Sequence, residues 1–213
     1  MKKLAFTLFL SLLTVLPVGA QQIQVRRFSK GVLAFDKFKN ANITFAFFRH
    51  GKAKANIFLK DASLVYLNDT VLMKADLSNV LRVDFDTVSY QCVNNQLGRV
   101  LAEKNGHSLV AVTTIDLDYY GGDKQRGNNL PYFEMPDFNI FLEVNGDFRD
   151  DAKGYPLKDV FYFITKGDPF PATERAFKKH LREDKRLDFK ELMKDRFWSW
   201  KDPESLKRLL DFL

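Results

Sequence analysis

Hydrophobic and polar residues alternate with a period of two over much of the first two thirds of the chain. Ile43, Phe45 and Phe47 fall on one face of the stretch 42–47, and Leu81, Val83 and Phe85 alternate with Arg82, Asp84 and Asp86. That is the pattern of antiparallel strands with one buried face. Further strands are expected at 55–59, 109–117, 138–144 and 160–164. His50-Gly51-Lys52 reads as a turn, and Asn105-Gly106 carries the signature of a two-residue hairpin. Short strands separated by polar turns predict an antiparallel meander, sandwich or small barrel.

After Pro171 the period changes to 3.6. Thr173 is positioned to cap a helix running to Arg182, and Asp188 with Glu191 has capping-box spacing ahead of Phe189, Leu192, Met193 and Phe197. Asp202 precedes Pro203 as an N-cap precedes a first helical residue, and Leu206, Leu209, Leu210 and Leu213 follow as an apolar stripe. A stripe that short needs a surface to dock on. The expected fold class is therefore α+β: an antiparallel β body over residues 21–170, then two to three helices over 171–213 packed against it.

Residues 1–20 have a different composition. Lys2 and Lys3 precede an apolar run from Leu4 to Leu16, Pro17 ends it, and Val18-Gly19-Ala20 presents small residues. This is the layout of a secretory signal peptide cleaved near Ala20. Thirteen residues fall short of the roughly 20 that span a bilayer as a helix. The sequence thus predicts export to the periplasm or beyond, with no transmembrane segment in the mature chain.

Composition narrows the function classes. A single cysteine, Cys92, among 213 residues excludes a disulfide framework and a multi-thiolate zinc site. Without Lys2 and Lys3, 31 basic residues face 27 acidic ones, a surplus of 4. The basic stretch 178–194 is interleaved with Asp and Glu, so no nucleic-acid footprint is present. Twenty-one Phe residues point to a core of phenyl rings.

Candidate chemistry is sparse. His50, His107 and His180 lie far apart, and no Gly-x-Ser-x-Gly elbow or phosphate-binding glycine loop occurs. Cys92 lies in a strand-like stretch with Tyr90 on the same face, as an inert thiol would. Asp116 and Asp118, two apart at the expected end of a strand, would project from one face with Asp123 nearby. That arrangement suits an acid/base pair or oxygen ligation, and equally a solvated strand end. The stretch from Tyr119 to Pro136 is long, Gly- and Asn-rich, and flanked by Tyr119, Tyr120, Tyr132 and Phe133. Aromatic faces beside polar groups suit a carbohydrate, a peptide or an envelope protein, and long loops on rigid scaffolds often bind. Rings that pack inward and pin the loop are the alternative.

The stretches 51–67 and 74–85, with Asp184-Lys185-Arg186 and Lys201–Leu206 near the end, resemble segments of uncharacterised exported proteins of Gram-negative anaerobes. The resemblance implies an exported, β-rich protein with closing helices and transfers no catalytic residue. Asp69-Thr70-Val71 and Asp86-Thr87-Val88 are similar to a tripeptide that some such bacteria O-glycosylate, which would place sugars on Thr70 and Thr87. A plain Asp-Thr turn is the other reading of both. Taken together, the sequence favours a non-enzymatic extracytoplasmic binding or structural module without a cofactor. A small secreted hydrolase using carboxylates around Asp116 and Asp118 is the competing expectation.

Overall fold

The computed structural model describes residues 26–47, 49–69, 71–119 and 154–213. The expected signal peptide and the expected strand at 138–144 lie outside the described residues, as does the stretch expected as a polar, turn-rich piece over 145–154 except for Gly154. Eleven antiparallel strands form one sheet: β1 (Phe28–Ser29), β2 (Lys39–Phe45), β3 (His50–Phe58), β4 (Ser63–Asn68), β5 (Val71–Lys74), β6 (Val80–Phe85), β7 (Val88–Val93), β8 (Gln96–Lys104), β9 (His107–Ile115), β10 (Tyr155–Thr165) and β11 (Asp168–Pro171). Their order is β1-β10-β9-β8-β7-β6-β2-β3-β4-β5, with β11 also on β10.

Two hairpin meanders meet where β2 pairs with β6. Asn105 and Gly106 both have positive φ between β8 and β9, as the mirror-image hairpin turn requires. Asn94 and Asn95 do the same between β7 and β8.

The short connection 75–79 explains why the sheet curls. β5 and β6 are four strand spacings apart, about 19 Å along a flat sheet. Six residue steps reach about 20 Å only when fully stretched, yet Val80 N–H turns back onto the Leu77 carbonyl. The sheet bends into a half-barrel and Leu77 is buried inside it. The turn 59–62 crosses to the opposite wall: Leu97 N–H donates to Ala62 C=O and Ile115 N–H to Leu59 C=O, both at 2.8 Å. Ala62 then packs on Val93, Val110, Val112 and Ile164.

Strand β9 and the C-terminal end of β10 are covered on both faces. Val110, Val112 and Ile164 face the inside of the curl, while Leu109 and Phe163 face a C-terminal layer of a few short helices. These are α1 (Glu174–Phe177), α2 (Arg186–Leu192) and α3 (Pro203–Arg208), with 3-10 turns at Glu183–Lys185 and Leu209–Phe212. Phe163, Phe170, Phe177 and Phe189 form a contiguous ring stack between sheet and helices. The surplus of phenylalanine is spent here and in the Phe35–Phe85–Tyr90 cluster inside the curl.

Several local expectations are corrected. His50-Gly51-Lys52 is not a turn but the start of β3, because the chain reverses earlier, closed by Phe45 N–H on Arg49 C=O. Leu81 points to solvent, since Thr44 pairs with Arg82 and Phe45 with Val80, leaving Leu81 as a bulge residue. Thr173 does cap α1, its hydroxyl accepting from Ala176 N–H, but the helix ends at Phe177 rather than Arg182. Asp188 caps nothing: it lies inside α2 and pairs with Lys185. Phe197 falls beyond the end of α2 and is exposed under the Arg196 guanidinium. Asp202 caps α3 as expected, accepting from Ser205 N–H and Oγ–H at 2.8 Å each.

These carboxylates set the acid limit of the fold. Burial raises the Asp84 pKa, but hydrogen bonds from Ser89 and Arg82 outweigh it and hold the group below its ordinary value. Asp61, bonded by Lys74 and Ser63, and Asp202 show the same balance. Because the folded values lie below the unfolded ones, their stabilisation is full above the ordinary carboxylate pKa of about 4, starts to fall there, and is lost as pH drops through the lower folded values. The melting midpoint is expected to be level from neutrality to about pH 5 and to drop below about pH 4. Asp84→Asn should flatten part of that drop, as a pH series of thermal melts would record.

Candidate functional site

The register of the strands divides the loops between two ends of the sheet. One end carries the turns 86–87, 105–106 and 166–167. The other carries 46–49, Asn79, Asn94-Asn95, the segment 116–119 and Gly154. Of the candidate binding and modification residues, Asp116, Asp118 and Tyr119 map to this second end and Thr87 to the first, while the others lie outside the described residues. Tyr120, Asp123, Tyr132, Phe133 and Thr70 are in the latter group.

Asp116 and Asp118 do not share a strand face. β9 stops at Ile115, and 117–119 is a helical turn whose Tyr119 N–H bonds the Asp116 carboxylate at 3.1 Å. The other Asp116 oxygen pairs with Arg26 at 2.8 Å, and the Arg26 guanidinium lies 3.7 Å from the centre of the Tyr119 ring. Asp118 is exposed on the turn. Beside this cluster Arg27 grips both oxygens of Asp159 at 2.5 Å, while Thr113 Oγ–H donates to the same carboxylate. Gly154, with φ +78°, lies so close to β1 that a Cβ would fall 2.3 Å from the Ser29 carbonyl. Arg26, Asp116 and Tyr119 thus form a staple that joins the N-terminal strand to the points where residues 120–153 leave and return. An acid so committed is poorly placed for proton transfer.

Cys92 is a half-buried thiol donating to Leu77 C=O at 3.6 Å, its pKa raised by burial. His107 contacts Thr165 Oγ1, and His180 stacks flat on Phe170. Thr87 is exposed in the two-residue β6–β7 hairpin. Among the described residues no His/Cys/Asp/Glu group could hold a metal ion, and no helix is long and apolar enough to cross a membrane.

A site the sequence did not suggest lies at the same end, between the β2–β3 turn and the 75–79 connection. Phe45, Ala46, Phe47, Arg49, Asp76 and Asn79 line a cleft of about 320 Å³. Its floor is the Phe45 ring, which covers Gly51: a Cβ there would meet the ring at 3.1 Å. The two loops are tied by Ala46 N–H on Asn79 C=O at 2.8 Å. Asp76 accepts from Ser78 N–H and Oγ–H, which lowers its pKa and keeps it ionised. Phe47 stands at the rim, 88% exposed, with φ +59°. Alternation alone places Phe47 inside, two residues beyond Phe45. The legible signal was Asp76-x-Ser78, a side-chain turn of the kind that presents polar groups.

Comparison with known proteins returns no matching family, no matching curated protein and no matching solved structure.

Proposed function

We propose that the protein is an exported, non-enzymatic binding or structural module of the cell envelope, recognising its partner at the sheet end that carries Phe47. The observation that carries this reading is Phe47 itself. A phenyl side chain held almost wholly in solvent at positive φ forgoes burial and accepts backbone strain of about 1–2 kcal/mol. Strain of that kind collects where a surface is kept ready for a ligand. The commitment of Asp116 to Arg26 and Tyr119 weighs against a hydrolase built on that acid. Export and cleavage near Ala20 belong to the proposal, as does modification of Thr87, whose exposed hydroxyl is open to a transferase.

Two measurements test the reading. Expression of the full chain in a Gram-negative host should yield an extracytoplasmic protein beginning at Gln21; retention in the cytoplasm with residues 1–20 attached would overturn export. Arrays of glycans and peptides should show binding that Phe47→Ala removes. Phe47→Gly is expected to leave stability unchanged or raise it by up to about 1 kcal/mol, since the residue is strained and unpacked. Identical array profiles for the parent and Phe47→Ala would sink the assignment of the binding surface.

A further inference from the structure

We infer that the Phe47 cleft is a site for an uncharged saccharide, the Phe47 ring stacking on a sugar face while Arg49, Asp76 and Asn79 bond its hydroxyls. This deepens the binding-module reading and rests on it. The chemistry of the lining selects the ligand class. Arg49 offers donors in a planar fork, Asp76 only acceptors, and Asn79 one of each kind. Vicinal hydroxyls, each both donor and acceptor, satisfy all three together.

Charged ligands fit less well. One guanidinium and one carboxylate leave the cleft without net charge, so a phosphate or sulfate would meet Asp76 and a cation would meet Arg49. A purely apolar ligand would desolvate three polar side chains without replacing their hydrogen bonds. The volume, about 320 Å³, is at the small end of ligand sites and suits one or two sugar rings. The flat, exposed Phe47 ring supplies the apolar face that the C–H side of a pyranose stacks on. The site is also preorganised. Phe45 N–H on Arg49 C=O closes the first loop, and Asp76 with Ser78 shapes the second, so little order has to be gained on binding.

The test uses protein purified from expression of the full chain, titrated calorimetrically with hexaoses of β-1,4-, α-1,4- and β-1,3-linked glucose, and of xylose, mannose and N-acetylglucosamine. A sulfated heparin hexasaccharide and a displayed peptide library serve as the other arms. At least one neutral hexaose is expected to bind, about tenfold or more weaker to Phe47→Ala and to Arg49→Ala, with Phe47→Trp retaining it. Melting curves of the variants should match the parent, because neither side chain is in the core. Phe47-dependent binding of only the sulfated sugar or only peptides would overturn the saccharide assignment and leave the module reading standing. Binding of a neutral hexaose that ignores both substitutions would overturn the site. Absence of binding by any probe would overturn both.

Discussion

Removing residues 203–213 is expected to abolish cooperative folding of the C-terminal layer and to lower the melting midpoint of the remainder steeply. Leu206, Leu209 and Leu210 are buried to 2% exposure or less, and Leu213 to 9%. They pack with Leu109 and Phe163 of the sheet and with Phe177 and Phe189 of the helices. The main chain joins in, as Arg182 N–H donates to Phe212 C=O. Six residues of α3 cannot persist without this contact. A single Leu206→Ala should cost about 3 kcal/mol, a cavity term added to the lost transfer energy. Four such leucines together approach the whole stability of a typical domain, about 5–15 kcal/mol. Urea titration is the measurement: Leu206→Ala should shift the midpoint at unchanged slope, and the truncation should broaden or erase the transition. A truncated chain that melts like its parent would make α3 an exposed appendage, against its burial.

The tail was legible in the sequence because cap and stripe agree there: Asp202 bonds Ser205, Pro203 starts the helix, and the leucines fall on one face. Asn105-Gly106 was legible for a similar reason, since its turn type depends on those residues alone. What failed depends on partners distant in the chain. Leu81 alternates correctly within its own strand, yet the bulge opposite Thr44 and Phe45 turns it outward. Asp188 has capping-box spacing, but the preceding 3-10 turn starts the helix three residues earlier, at Arg186, and internalises it. The site shows the same division. Asp116 and Tyr119 were each recognisable as candidate groups, one as an acid beside Asp118 and the other as a loop-flanking ring, whereas the staple that joins them needs Arg26, 90 residues away from Asp116. The Phe47 cleft needs Asp76 and Asn79 brought in by the curl, which no local pattern encodes.

Asn56→Leu is expected to destabilise the protein by about 3 kcal/mol although it exchanges a polar core residue for an apolar one of similar size. Asn56 is fully buried in β3 between Ala55 and Ile57. Its Oδ1 accepts from Phe35 N–H at 3.0 Å and Ile57 N–H at 2.8 Å, and its Nδ2 donates to Phe35 C=O at 2.7 Å. The segment 32–38 runs beside β3 but leaves its ladder at Phe35, where the Asn56 amide replaces the missing strand partner. Leucine cannot, so at least two main-chain groups would lose their partners away from bulk water, at about 1–3 kcal/mol each. The consequence reaches the interior of the curl, because the Phe35 ring packs edge-on against Phe85 at 4.8 Å and Tyr90 at 6.4 Å. Hydrogen exchange separates this account from simple loss of packing. In Asn56→Leu the Phe35 amide should exchange far faster than in the parent, while amides of β9 and β10 slow or quicken only with global stability. Wild-type stability with a protected Phe35 amide would show that the segment is held by its phenyl ring, and that the buried amide is dispensable.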